Sequence, residues 1–110
     1  MPSFISDDEV ERALDYLVKS ASDAAKARAE RGYVEDYLKV IKSRVMKEHA
    51  GRSGIEQERE AYSDSRYLQH LEAIRQAVEA DAKHTFLRGA AEAKLDCWRT
   101  LCATERAMKL

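Results

Sequence analysis

Asp81 and His84 stand three positions apart, a spacing at which a helix sets a carboxylate beside an imidazole, as in the di-metal centres of helical bundles. Such a centre also needs carboxylates from a facing helix. A hairpin turn at residues 51–54 sets Ala21 opposite His84, and alanine offers no ligand, so no metal is expected. His49 and His70 have no cysteine or histidine neighbour at ligand spacing. Cys97 and Cys102 are five positions apart and fall on different helix faces, which suits two small apolar residues better than a redox pair. The chain carries no Gly-rich phosphate loop, nucleophile elbow or zinc-binding His-Glu-x-x-His motif. It therefore reads as non-enzymatic and free of cofactors.

A second chemistry belongs to Lys39, Lys42, Arg44, Lys47 and Arg52, a basic segment broken by Glu48. These side chains are candidate contacts for nucleic-acid phosphates, and Tyr33 and Tyr37, one helical turn apart, are candidate stacking surfaces for exposed bases. Charge balance argues the other way. The 19 basic and 20 acidic residues give a net charge of −1, and Glu56, Glu58 and Glu60 would face the basic segment across a hairpin. A solvated, neutralised helix face is the favoured reading, with the two tyrosines adding apolar area to a protein interface.

The elements that would position these residues are helices. The chain has 110 residues, of which 35% are charged and 7% aromatic, with one Pro and four Gly. Ser6 and Glu9 form a capping box, and Ile5 and Val10 a hydrophobic staple, so a helix is predicted over 7–50. Its apolar stripe runs through Val10, Leu14, Leu17, Ala21 and Ala24, then Val34, Leu38, Ile41 and Val45. The step from Ala24 to Val34 does not fit a multiple of seven, which predicts a drift of the stripe near Gly32. Gly51 is expected to end the helix in the left-handed conformation, and Ser53 to Glu56 forms a second capping box. A second helix is predicted over 55–106, weakest at residues 62–65 and soft at Gly89. The fold class is all-α: a single domain, 1–110, built as a long, coiled-coil-like antiparallel helical hairpin. Acids near Asp7 and bases towards Lys109 favour that antiparallel order.

Apolar residues cover an arc too wide for one neighbouring helix. Tyr33, Val34, Tyr37, Leu38 and Ile41 on the first helix, with Leu71, Ile74, Val78, Leu95 and Trp98 on the second, are the expected oligomer interface. A homodimer completing a four-helix bundle would cover them. No apolar run approaches the roughly 20 residues of a membrane span, and the start has no signal-peptide pattern, so a cytoplasmic location is expected.

The runs Gly32-Tyr33-Val34-Glu35-Asp36-Tyr37-Leu38-Lys39-Val40-Ile41-Lys42 and Glu58-Arg59-Glu60-Ala61-Tyr62, with Trp98-Arg99 downstream, resemble a group of small helical proteins encoded by tailed bacteriophages. The resemblance covers residues 32–99. It implies a phage or prophage origin, a bacterial host cell, and an association with genes for DNA replication or recombination. It brings no catalytic residues. The expected function is accordingly a non-enzymatic helical assembly protein that engages itself and a protein partner of a DNA-processing complex.

Overall fold

Ser6 starts the first helix as its sequence predicts: its Oγ accepts the Glu9 amide at 3.1 Å, and Ile5 and Val10 on either side of this cap are buried. The structure, a computed structural model, describes residues 5–109. Helix α1 spans Asp7–Glu48, α2 spans Gly54–Ser63 and α3 spans Ser65–Lys109. The all-helical fold class stands: the described residues hold these helices and no strand.

Three local expectations are corrected. Helix α1 ends at Glu48 instead of residue 50, because the chain enters two successive tight turns, with His49 N donating to Met46 O and Arg52 N to His49 O, both at 3.0 Å. These turns replace the left-handed cap, and Gly51 has no positive φ. The predicted 55–106 helix is two helices. Ser63 Oγ turns back onto the carbonyls of Arg59 and Glu60, Asp64 takes an extended conformation (φ −69, ψ 137), and its Oδ1 accepts the Arg66 amide at 2.8 Å to cap α3. Gly32, by contrast, lies inside α1 without interrupting it.

The apolar stripe does not drift. Along α1 the positions Val10, Ala13, Leu17, Ser20, Ala24, Ala27, Arg31, Val34, Leu38, Ile41 and Val45 alternate three- and four-residue steps, and every one is buried or half-buried. The matching series on α3 is Tyr67, His70, Ile74, Ala77, Asp81, His84, Arg88, Ala91, Leu95, Trp98 and Cys102. Both are unbroken heptad seams with polar residues inside them.

The chain contacts fall into two compact units, residues 1–24 with 82–110 and residues 25–81. In the first, α1 and α3 pair antiparallel: Trp98 Nε1 donates to Asp7 Oδ1 at 3.3 Å, and Arg88 Nη1 donates to Leu17 O and Ser20 Oγ, both at 2.8 Å. In the second, His70 Nε2 donates to the Val34 carbonyl, and Arg31 meets Asp81. There α2 closes on the end of α1, where Val45 and Ala61 have 0% exposure.

Candidate functional site

Helical spacing brings Tyr33 and Tyr37 into the contact foreseen for them. Their rings stack at 5.8 Å between centroids, and Tyr37 also packs on His70 at 5.6 Å. Tyr33 remains 64% exposed. Beside them Glu35 engages Arg31 at 2.8 Å and Arg44 donates to the Tyr37 hydroxyl at 3.0 Å.

The basic segment is partly consumed within the chain. Lys42 Nζ donates to Tyr62 Oη at 2.9 Å, lies 4.8 Å from that ring's centroid and reaches Glu58 at 3.5 Å. The Tyr62 hydrogen bond is the main reason its pKa is raised. Arg52 pairs with Glu60 at 3.1 Å. Two of the three acids expected to face this segment thus do so. Lys39 and Lys47 point into solvent.

Arg66 makes the most elaborate charged contact. Its guanidinium grips both Glu48 oxygens, at 2.8 and 2.6 Å, and both Asp64 oxygens at 3.0 Å. These hydrogen bonds hold the Glu48 and Asp64 carboxyls below their ordinary range and raise the pKa of Arg66. The arrangement ties the end of α1 to the break between α2 and α3. Its chemistry is structural: a guanidinium saturated by two carboxylates has little left to offer a ligand.

Asp81 is buried at 6% exposure and is held by Arg31 at 3.3 Å and Arg28 at 3.6 Å. Its oxygens face two cations of α1, so the carboxylate serves an interhelical ion pair. His84 has its Nδ1 buried with no hydrogen-bond partner. Among the described residues no group of three or more histidine, cysteine, aspartate or glutamate side chains is placed to hold a metal ion. Cys97 is exposed and Cys102 half-buried, both as free thiols.

Of the ten expected interface residues, Val34, Leu38, Ile41, Ile74, Leu95 and Trp98 lie at seam positions of α1 and α3, Val34 buried and the other five half-buried. Tyr33 and Leu71 are exposed, and Tyr37 and Val78 are half-buried. Other exposed apolar side chains were outside that set. Leu14, Val18, Phe86 and Leu87 lie in the first unit and Val40, Ile55, Tyr62 and Leu68 in the second. Val18 was hidden because it belongs to no seam position; its exposure becomes visible only once the heptad phase is known. A shallow groove in the first unit runs between Glu9, Arg12 and Tyr16 on α1 and Leu87, Ala90 and Lys94 on α3.

No family model, curated protein or solved structure matches the chain. No helix of the described residues is long and apolar enough to cross a membrane.

Proposed function

We propose that this chain is a non-enzymatic interaction protein that associates with copies of itself and presents the assembly to a protein partner. One observation carries the reading. After the seam has been filled, large apolar side chains still face water in both units, among them Val18 at 77% and Phe86 at 75% exposure. Scattered single apolar residues are ordinary on protein surfaces, but apolar groups repeated at helical spacing mark association. The buried side chains are mostly small: Val and Ala dominate the core, and Val45 is the largest fully buried one. A core of that kind contributes modest burial energy to a chain of this length, which gives further burial between chains a thermodynamic role.

The resemblance of residues 32–99 to small helical phage proteins supports a phage or prophage origin and a partner within DNA replication or recombination machinery. Engagement of Lys42 and Arg52 by Tyr62, Glu58 and Glu60 weighs against direct nucleic-acid binding as the main activity. Affinity capture from a phage-infected host, with mass spectrometry of protein and quantification of co-purifying nucleic acid before and after nuclease, tests the reading. A stoichiometric protein partner retained after nuclease supports it. Recovery of nucleic acid alone, lost on replacing Lys39 and Lys47, would overturn it in favour of a nucleic-acid-binding protein.

A further inference from the structure

The first unit exposes two apolar faces that lie on opposite sides of its seam. Leu14 follows the seam residue Ala13 by one position and Ala21 follows Ser20 by one, and with Val18 they form a stripe at 3-4 spacing along α1. Tyr16 precedes the seam residue Leu17 by one position and so lies on the other flank, where it lines a groove with Leu87 and Ala90 of α3. Phe86 lies on the back of α3, midway between the seam residues His84 and Arg88, next to Leu87. All six of Leu14, Val18, Ala21, Phe86, Leu87 and Ala90 are exposed.

The two helix segments of this unit carry opposite net charge. Residues 7–24 hold six acids and two bases, a net of −4, whereas residues 82–109 hold six bases and three acids, a net of +3 with histidine neutral. Local pairs of Asp8 with Arg12, Asp15 with Lys19 and Asp96 with Arg99 satisfy part of the charge on each helix, and Arg88 is committed to Leu17 and Ser20. Glu11 stays exposed one turn before Leu14, and Lys83 and Lys94 stay exposed beside Phe86 and Ala90. A contact of α1 with α1, or of α3 with α3, between copies would set like charges against each other. A contact of α1 with α3 would set opposite charges together around two apolar stripes.

We infer that a second copy of this chain covers these faces, the Leu14–Val18 face of one copy seating on the Phe86–Leu87 face of the next. The contact is heterologous, because each copy offers one face and receives on the other, and it propagates head to tail unless the rotation closes a ring. This inference rests on the self-association proposed above and specifies its surface: the seam residues stay within each chain and the outward stripes join chains.

The test is sedimentation equilibrium on the full chain, on Val18→Lys, on Phe86→Glu and on an equimolar mixture of the two variants. Both substituted side chains are exposed, and circular dichroism of each variant verifies retained helicity. Wild type is expected well above its monomer mass of 12.5 kDa, each variant alone at the monomer mass, and the mixture is expected to re-associate because each variant keeps the face the other has lost. Continued association of either variant alone, or a mixture that stays monomeric, overturns the heterologous contact while leaving self-association standing. A wild-type mass of 12.5 kDa at all micromolar concentrations overturns both.

Discussion

Arg31 Nη1 lies 3.3 Å from Asp81 Oδ2 at seam positions of α1 and α3, so an ion pair occupies a place where an apolar pair would ordinarily sit. Asp81 is the buried partner, and Arg31 keeps 40% of its side chain in water while also holding Glu35. A pair of this kind adds little net stability but disfavours any register that would leave the carboxylate facing an apolar neighbour.

Asp81→Ala is therefore expected to lower unfolding stability by roughly 1–3 kcal/mol, the scale for removing a buried, hydrogen-bonded polar partner. The double variant Arg31→Leu, Asp81→Leu should lose less than Asp81→Ala, and a gain in melting temperature is consistent with apolar replacement of a seam ion pair. Urea titrations of Arg31→Leu, Asp81→Leu and the double variant form the necessary cycle. Equal losses in all of them would show that the pairing has no register role.

Val45 is fully buried where α2 closes on α1. Val45→Ala removes two methyl groups' worth of burial and is expected to cost about 2 kcal/mol. Chemical denaturation should show a lower midpoint with an unchanged slope. A loss under about 0.5 kcal/mol would mean that the site collapses freely around the smaller side chain.

Gly32 and Gly89 lie in helix interiors, without positive φ, and a β-carbon added at either meets no atom within 4 Å. Gly32→Ala and Gly89→Ala should each raise stability by about 1 kcal/mol, because alanine loses less backbone freedom in a helix. Gly51 has neither a positive φ nor a crowded β-carbon, so Gly51→Val should be tolerated. Thermal melts of the three variants decide the matter, and a sharp loss at Gly51 would contradict the turn geometry.

Arg66 predicts an acid limb. The folded pKa values of Glu48 and Asp64 are depressed, so their stabilising contribution is fully present above their unfolded values and is lost as pH falls through the folded ones. The window lies around and below about pH 4.5, where an unpaired glutamate is half protonated, and neutral pH lies outside it. Melting temperature followed from pH 7 to pH 2 should decline less steeply in Arg66→Gln than in wild type. Because Glu48 and Arg66 are exposed and Asp64 is only half-buried the difference should be small, and 0.5 M salt should shrink it. Parallel curves for the two proteins would exclude a role for the clamp.

Helix starts were legible because Ser6 and Ser53 announce themselves with short-range chemistry. The seam was legible only where it is apolar. Ala27 and Arg31 complete the interval between Ala24 and Val34, but an arginine does not read as an interior residue, so the heptad looked interrupted. The same masking affects His70, Asp81, His84 and Arg88 on α3, which occupy seam positions while looking like surface residues in sequence. The burial of His70, Asp81 and Arg88 depends on partners on α1 that no local pattern announces. The break at Asp64 was visible as a weak stretch, yet its cause is cooperative, requiring both the Ser63 back-bonds and the Asp64 cap. The exposed faces could not be separated from the seam by hydrophobicity alone, since both carry leucine and valine.

The interhelical contacts also order themselves by separation along the chain. Glu48 and Arg66 are 18 residues apart along the chain, Val34 and His70 36, Arg31 and Asp81 50, Ser20 and Arg88 68, and Asp7 and Trp98 91. Each contact made shortens the free loop that the next must close, so the entropic cost of closure is met in small increments, starting beside the turn. Closure in that order would zip the chain, with the Arg66 clamp as its first tooth and Trp98 on Asp7 among its last. The acidic and basic ends would then close last, and those ends carry the stripes inferred to join one copy to the next.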